Sequence, residues 1–430
     1  MSSYHGKRCK DQQKSTSVED RIPASIEVSL EDLAQQVREG LLAFSVAVGL
    51  QVMERMMAEE VSALVGPKGK HHPGRTAVRH GKEDGQVVLG GRKVAVKRPR
   101  ARTTDGQEVA LESYQRFQDP ALLGAAALER MLHGLSCRRY GHGLEPVGQN
   151  VEPIGTSKSA VDRRFIARTR QALEEIMARS LSGQRYPVLM LDGIEMGEHM
   201  VIVSLGADGE GRKQVLGLWE GATENAAVCK ALLADLVERG LDTSQGILVV
   251  IDGSKALESA VKRTWGRQAV IQRCQVHKKR NVLDHLPEQQ RPLVSRQLDR
   301  AWREPDVAAA RDKLKKLAAA LKEDHPGASA SILEGLEETL TVNRLGLPKR
   351  LARSLRSTNP IESLNASIRN ATHNVKRWRN GEQALRWAAA ATLNAEGSFR
   401  RLYGYRDMPL LTDALAKIVL PESSTNSKTA

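Results

Sequence analysis

The chain has 430 residues, of which 40% are hydrophobic and 27% charged, so most of it can fold into packed cores. Lys and Arg outnumber Asp and Glu by 65 to 51, which gives a formal net charge of +14 and favours a polyanionic partner over a merely solvated basic surface. The longest apolar run, 41–50, is too short to span a membrane, and the polar residues 1–20 lack the apolar core of a signal peptide.

The N-terminal part of the chain starts with a polar segment and continues with a helical pattern. We predict a disordered arm at 1–24, followed by a region 25–120 that opens with a long helix over 29–65. Apolar residues recur in this helix at three- to four-residue spacing, and Gly66-Pro67 is expected to end it.

A strongly basic segment follows this helix. Residues 66–104 contain eleven Lys or Arg against two acids, and the alternating runs 87–89 and 94–96 flank Gly90-Gly91, which predicts a small basic β-hairpin. A basic ribbon suits contacts with DNA phosphates, although a solvated loop has the same composition. The candidate DNA-binding residues are Lys97, Arg98 and Arg100.

The region 121–180 is predicted to be helical. One helix covers 121–133, a turn-rich stretch follows, and Thr156 or Ser157 caps a second helix. Small polar and basic residues at a helix start suit a helix that reads the major groove, so we consider a helix-turn-helix with these candidates: Ser157, Lys158, Arg163 and Arg164. The connection is longer than the usual turn, and an ordinary helical linker fits the pattern equally well.

Residues 187–273 have the pattern of a mixed α/β sheet. Three apolar runs are followed by helix, strand, helix and strand. We assign 186–277 to the first part of a catalytic core, 278–356 to an all-helical insertion, and 357–420 to the end of the core. Residues 421–430 are predicted to form a disordered tail.

Two strands of this sheet share one construction, an apolar run followed by Asp-Gly. Asp192-Gly193 and Asp252-Gly253 would place two carboxylates at the open edge of the sheet, where glycine permits a sharp turn. A single Asp-Gly is usually a plain turn, but two facing carboxylates are costly unless a cation lies between them or one of them is protonated. Oxygen ligands favour Mg²⁺ or Mn²⁺, and two such ions suit phosphoryl transfer.

Glu362 is the candidate for a third carboxylate. Its local sequence also fits a purely structural role, because Asn359 as N-cap, Pro360 at N1 and Glu362 at N3 would form a capping box. Spacing alone favours the cap, and one carboxylate can be claimed by both roles.

The stretch 186–394 resembles the catalytic region of Mutator-type insertion-sequence transposases, which are DDE enzymes with an RNase H-like fold. The resemblance rests on four motifs in the family's order: Tyr186-Pro187 leading to Leu191-Asp192-Gly193, Ile251-Asp252-Gly253, the segment from Arg273 to Asn281, and the segment from Asn359 to Asn365. The N-terminal 180 residues resemble the family more loosely, in the place where it carries its end-binding regions.

This resemblance implies a fold and an activity. The fold would be an α/β RNase H-like core with an all-helical insertion, preceded by a mainly helical DNA-binding region that contains the basic hairpin. Asp192, Asp252 and Glu362 would hold two Mg²⁺ or Mn²⁺ ions. The protein would bind the inverted-repeat ends of its own insertion sequence in double-stranded DNA, cut them, and join them to target DNA as a homodimer or larger assembly.

Cys274 and His277 form a Cys-x-x-His pair directly after the last predicted strand. The resembling family has such a pair near its active site, which implies a supporting role for both residues. Inert packing is the alternative. A structural zinc site would need four ligands, and no second pair lies nearby.

Other features restrict the function further. The chain has no phosphate-binding P-loop, so we expect no use of ATP. Four cysteines without a framework spacing predict reduced thiols in a cytoplasm. The short apolar runs predict no membrane partner, and the resemblance implies a bacterial, nucleoid-associated protein. Two alternatives remain for the function: an inactive transposase-derived repressor, or an RNase H-like nuclease.

Overall fold

The computed structural model describes residues 41–70, 75–144, 153–221 and 226–419. The arm predicted at 1–24, the first part of the helix predicted from residue 29, and the tail predicted at 421–430 lie outside the described residues. The chain divides into two compact units, one ending at Phe165 and one starting at Ile166, except that Leu132–Gly134 belongs to the second.

The helices and strands of the described residues follow one another in this order: α1 (Leu41–Val65), β1 (Ala77–Leu89), β2 (Arg92–Thr103), α2 (Glu112–Phe117), α3 (Pro120–Leu132), β3 (Pro153–Ile154), α4 (Lys158–Met177), β4 (Val188–Met196), β5 (His199–Ala207), β6 (Lys213–Gly221), α5 (Ala226–Glu238), β7 (Ile247–Ile251), α6 (Lys255–Trp265), β8 (Ala269–Arg273), α7 (Gln275–Asp284), α8 (Arg291–Trp302), α9 (Val307–Leu321), α10 (Pro326–Leu333), α11 (Leu336–Thr339), α12 (Thr341–Arg344), α13 (Lys349–Leu355), α14 (Asn359–Thr372), α15 (Gly381–Glu396) and α16 (Met408–Val419).

In the first unit, helix α1 packs against a β-hairpin. The antiparallel strands β1 and β2 are joined by Gly90 and Gly91, whose φ angles of 58° and 80° suit a tight two-residue turn. Met57 of α1 shares a buried cluster with Val87 and Val96 of the hairpin. Apolar residues alternate with basic ones along these strands, and the apolar residues hold the hairpin against α1.

The hairpin differs from its prediction in two ways. Its strands have 13 and 12 residues, so they extend well beyond the short apolar runs at the turn. Pro153–Ile154 adds a third strand by pairing with Val94 and Lys93, where the sequence predicted only turns. Two paired residues leave no alternation to detect, and proline normally argues against a strand except at a sheet edge.

The second unit contains a five-stranded mixed sheet in the order β6-β5-β4-β7-β8. β4, β5 and β6 are antiparallel neighbours, while β7 and β8 run parallel to β4 and to each other. Helices α5 and α6 cover this sheet, because Leu233 and Val261 share one core with Leu189 and Val249 of the strands. The order of strands and helices is the one that the sequence predicted.

Helices complete the second unit. Residues 278–356, all of them described, contain helices and no strand, and they enclose a core of their own that includes Leu298, Leu314 and Ile332. Helix α14 contacts β4, and α15 contacts β5 and β6. Within the described part of the chain, no helix has the length and apolar character that crossing a membrane requires.

Candidate active site

Asp192 lies within strand β4 and not at its end. β4 continues to Met196 because β5 pairs with it along its whole length, with Asp192 opposite Val203. The sequence prediction of a turn at Gly193 was therefore wrong, and the turn comes at Gly197, whose φ is 67°. The parallel pairing with β7 ends at Met190, so Asp192 lies where the two strands part.

Asp252 follows β7 directly, as the sequence predicted. The parallel register of β4 and β7 pairs Met190 with Val250, and its continuation by two residues brings Asp252 level with Asp192. Gly253 has a φ of 122°, and a Cβ there would meet the Arg273 guanidinium at 2.3 Å from Nε. Glycine is therefore required for both the turn and the space. The Asp252 carboxylate accepts a hydrogen bond from the backbone of Ser254 at 2.9 Å.

Glu362 lies in the first turns of α14, but the capping box predicted for it is wrong. The residue preceding the helix is Thr358 and not Asn359. The backbone N–H of Thr358 donates to Cys274 Sγ at 3.4 Å, so it is not available to the Glu362 carboxylate. Instead, the Thr358 hydroxyl donates to Glu362 Oε1 at 2.8 Å. The sequence could not show this, because the competing acceptor lies 84 residues away.

The three carboxylates line one cavity of the second unit. Asp192, Asp252 and Glu362 share its wall with His277 and Asn365, and two exposed arginines complete it, Arg280 and Arg369. The three acids therefore lie in one cavity, although they come from β4, from the end of β7 and from the start of α14. The chain brings together all three residues that the sequence analysis selected.

Repulsion between carboxylates shapes the electrostatics of this cavity. Burial, followed by the negative charge of Asp252, raises the pKa of Asp192 from 3.8 to about 6, and Glu362 adds to the effect. His277 acts in the opposite direction. The Asn365 side chain donates to Asp192 Oδ2 at 2.8 Å and fixes its orientation. A cation between the acids would relieve this repulsion.

Cys274 and Thr358 connect the end of β8 to the start of α14. Cys274 is completely buried, and its Sγ accepts hydrogen bonds from the backbone N–H groups of His277 and Thr358, each at 3.4 Å. The Thr358 hydroxyl oxygen lies 3.3 Å from the same sulfur. His277 Nδ1 lies 3.3 Å from that hydroxyl and 3.7 Å from Glu362 Oε1. The Cys-x-x-His pair therefore contacts the residue that holds Glu362.

The same contacts set the charge state of the pair. Burial opposes ionisation of Cys274, but hydrogen bonds from His277 and Thr358 outweigh it and lower the thiol pKa. The hydrogen bond with Cys274, together with nearby acids, raises the pKa of His277. Among the described residues, Cys274, His277 and Glu362 form a group whose ligand atoms lie within 4.8 Å of one another. These are three ligands, one fewer than a structural zinc site takes.

Four residues of the site were not selected from the sequence: Thr358, Asn365, Arg369 and Arg280. Helical spacing could have found three of them. Asn365 and Arg369 lie three and seven residues after Glu362 in α14, and Arg280 lies three residues after His277 in α7, so each shares a helix face with a selected residue. Thr358 could not be found in this way, because its role depends on a contact between distant segments.

The predicted DNA-binding residues of the hairpin lie in the first unit and differ in availability. Arg98 donates to Glu83 at 2.7 Å and to Glu108 at 3.1 Å, and its guanidinium also lies over the Tyr114 ring. Arg100 is paired with Glu108 as well, and this contact raises its pKa. Lys97 is exposed and has no ion pair among the described residues.

The helix start predicted to read DNA also lies in the first unit. Helix α4 begins at Lys158, and Ser157, Lys158 and Arg163 are exposed. Arg164 is half-buried and donates to the backbone oxygen of Gly155 at 2.6 Å, so this side chain supports the loop before the helix. Helix α4 continues to Met177, beyond the end near Arg170 that the sequence predicted.

Comparison with known proteins identifies the chain. The family model described as "Transposase, Mutator family" matches residues 24–401. The transposase for insertion sequence element ISRM5 of Rhizobium meliloti is 28% identical over 388 residues, which cover 88% of this chain and 94% of that protein. The transposase for IS256 in transposon Tn4001 of Staphylococcus aureus is 25% identical over 389 residues, covering 87% and 93%. A probable insertion-sequence transposase of Corynebacterium diphtheriae is 32% identical over 230 residues, covering 51% and 65%.

The protein is therefore a transposase, a DNA-processing enzyme. The chain belongs to the Mutator family of transposases, since the family model extends across both compact units and not only across the sheet. This confirms the resemblance found in the sequence motifs.

Proposed function

We propose that this transposase cuts and joins DNA at the inverted-repeat ends of its own insertion sequence, with Asp192, Asp252 and Glu362 holding two Mg²⁺ or Mn²⁺ ions. The observation that carries this proposal is the convergence of three carboxylates from separate elements on one cavity that also contains two arginines. In the same proposal, the mixed sheet and its helices form an RNase H-like core, since three antiparallel strands continue into two parallel ones.

The residues of the cavity suit divalent cations. Carboxylate oxygens are ligands that Mg²⁺ and Mn²⁺ prefer. Burial, followed by repulsion from Asp252, raises the pKa of Asp192, and a cation bound beside the carboxylate would favour its charged form against both effects. Ions held there would stabilise the attacking and leaving oxygens of an in-line phosphoryl displacement. Neither Cys274 nor His277 is needed as a ligand in this proposal.

The chain's own side chains orient the reacting groups. Asn365 fixes Asp192, and Thr358 holds one oxygen of Glu362. Arg280 and Arg369 would draw a phosphate towards the acids, because cations beside a carboxylate cluster attract the polyanion that the acids alone would repel. Water would first cleave the strand and leave a 3′-hydroxyl, which would then attack a second phosphodiester. No covalent protein–DNA intermediate is expected.

End recognition would be a function of the first unit. Exposed Lys97 on the hairpin and exposed Ser157, Lys158 and Arg163 at the start of α4 would contact the duplex. Because two ends must be processed together, the active assembly would be a homodimer or larger. ATP would not be required.

The proposal is tested with purified full-length protein and a plasmid that carries the gene with its flanking DNA. We expect cutting at the ends of the element with Mg²⁺ or Mn²⁺, and binding with little cutting in Ca²⁺. A preparation of Asp192→Asn/Asp252→Asn protein controls for contaminating nucleases. Cutting in the presence of a chelator would reject the metal mechanism. Cutting without preference for the ends would indicate a nuclease, and binding without cutting would indicate a repressor.

A further inference from the structure

A groove in the second unit is separate from the carboxylate cavity and close to it. It is lined by α7, by the end of α8 with the residues after it, and by α13 with the residues on either side of that helix, and we call it the insertion groove. Asn359 lines it and directly follows Thr358, whose hydroxyl donates to Glu362. Gln275 also lines it and directly follows Cys274, which accepts from the Thr358 backbone. The groove therefore reaches the start of the helix that carries Glu362.

The acids of the insertion groove are already neutralised. Asp299 accepts from Lys279 at 2.8 Å, and Glu304 is paired with Lys313. Both lysines lie in the helical region 278–356, as do the two acids. Neither is available to balance further positive charge in the groove.

Four cations of the groove remain without an acidic partner among the described residues: Arg303, Lys349, Arg353 and Arg356. The first three are exposed. Arg356 is half-buried, and its Nε is shielded from solvent without a hydrogen-bond partner in the described chain. Burial and the neighbouring Arg303 lower its pKa, so the fold holds like charges together at a cost.

A second depression adjoins the insertion groove and shares Arg353, Ser357 and Asn359 with it. Its own two cations are already engaged, because Lys213 is half-buried over the Phe399 ring and Arg401 is paired with Glu210 at 3.5 Å. The cations without acidic partners therefore belong to the insertion groove. An extended row of exposed cations suits a ligand with repeated negative charges better than a single small anion.

The chemistry of the groove favours a sugar–phosphate backbone over unpaired bases. Its one aromatic side chain, Trp302, is buried and donates a hydrogen bond to Thr339, so the groove itself offers no exposed ring for a base to stack on. The exposed ring of Tyr403 lines only the adjoining depression. Lysine and arginine at the surface make the sequence-independent phosphate contacts that dominate affinity for duplex DNA.

We propose that the insertion groove binds the phosphate backbone of the duplex DNA segment that lies beside the bond being cut. This inference rests on the proposed function and deepens it, because it assigns to the helical insertion the task of holding the substrate near Glu362. It also explains why these four cations lack acidic partners: their partners are phosphates.

The test compares two triple variants that remove equal charge. Arg303→Gln/Lys349→Gln/Arg353→Gln changes the exposed cations of the groove. Lys316→Gln/Lys322→Gln/Arg350→Gln changes exposed, unpaired cations of the same unit that do not line it. Binding of each full-length protein to a duplex of random sequence is measured by fluorescence anisotropy at several salt concentrations. Melting curves establish that each variant is folded.

We expect the groove variant to lose about 2–3 from the slope of log affinity against log salt, because each phosphate contact contributes ~0.9, and the control to keep the wild-type slope. Arg303→Lys/Arg353→Lys should also keep it, since lysine preserves the charge. Equal slopes in both triple variants overturn the proposal. If the groove variant does not fold, Arg353→Gln alone should lower the slope by ~0.9, and an unchanged slope overturns the proposal in that case.

Failure of this inference is distinguishable from failure of the proposed function. If the groove variant loses salt slope but the wild-type protein does not cut the plasmid in Mg²⁺, the groove proposal stands and the catalytic proposal is rejected. Normal cutting together with an unchanged slope in the groove variant rejects the groove alone.

Discussion

The hairpin of the first unit and the insertion groove of the second are both rich in cations, but they use them differently. In the hairpin, Arg98 and Arg100 are neutralised by Glu83 and Glu108, so the charge stabilises the ribbon itself. In the groove, Asp299 and Glu304 are each paired with a lysine, and four other cations remain without acidic partners among the described residues.

The carboxylate cavity, like the groove, holds charges of one sign close together, but there the charges are negative. Burial makes ionisation of Asp192 costly, and repulsion from Asp252 adds to that cost. The number of charges in a segment is therefore a poor guide to ligand binding. Charge that the fold leaves unbalanced is a better guide, because its compensation must come from a ligand.

The largest effect should come from the unbalanced acids. Asp192→Asn, Asp252→Asn and Glu362→Gln each keep the shape of the side chain but remove a metal-binding charge. We expect each to reduce strand cleavage by on the order of a thousandfold or more, with DNA binding largely unchanged. Plasmid cleavage and gel-shift titration measure the two quantities.

Glu195→Gln is the matched control for the triad, because Glu195 is exposed on the same strand as Asp192 and lies outside the cavity. Cleavage should be normal in this variant. Normal cleavage by folded Glu362→Gln protein would instead show that Glu362 has only its structural contact with Thr358.

The next effect concerns stability and follows from the raised pKa of Asp192. In a chelator, the folded state binds a proton more tightly than the unfolded state, so stability falls as pH rises from 3.8 to about 6. Asp192→Asn removes this loss and should be more stable than wild type by roughly 2 kcal/mol at pH 7.5.

Urea denaturation at several pH values checks this prediction. The difference between wild type and Asp192→Asn should disappear below about pH 4 and should shrink when Mg²⁺ is added at pH 7.5. A difference that is the same at all pH values would mean that packing, and not charge, distinguishes the two proteins.

A smaller effect is expected at Thr358, which we regard as a positioning residue. Thr358→Val removes the hydroxyl that holds Glu362 but keeps the size of the side chain. We expect about a tenfold slower cleavage, which corresponds to about 1.4 kcal/mol, and a higher Mg²⁺ concentration for half-maximal activity.

Thr358→Ser should restore both values, because serine keeps the hydroxyl. Duplex binding should be equal in wild type and both variants. An unchanged requirement for Mg²⁺ in Thr358→Val would limit this residue to a role in packing.

The smallest effect should be found in the hairpin. Lys97→Gln should lower the salt slope of duplex binding by at most ~0.9. Arg98→Gln/Arg100→Gln should change the slope less than that, and should lower the melting temperature instead, because both arginines are engaged with acids. A larger slope change for the arginine pair than for Lys97 would show that DNA displaces Glu83 and Glu108, and the contrast with the groove would be lost.

Local sequence patterns predicted the order of strands and helices in the sheet of the second unit, and they pointed to all three acids of the cavity. Periodicity and turn residues are local properties: β7 is an unbroken apolar run, and Gly253 is needed at a backbone angle that other residues rarely adopt. Spacing alone favoured a helix cap for Glu362, and only the resemblance to the Mutator family placed it in one site with Asp192 and Asp252.

The pairing of polar groups, in contrast, depends on the folded chain. Asp192 lies inside a strand because β5 continues past it, and Glu362 is held by the Thr358 hydroxyl because the Thr358 backbone donates to Cys274. The groove likewise depends on pairs such as Lys279 with Asp299. In each case, groups that are far apart in sequence and near in space compete for the same hydrogen-bond or ion-pair partner. Such a competition is resolved only when the chain has folded, because hydrogen bonds and ion pairs act over a few ångströms and carry no local pattern.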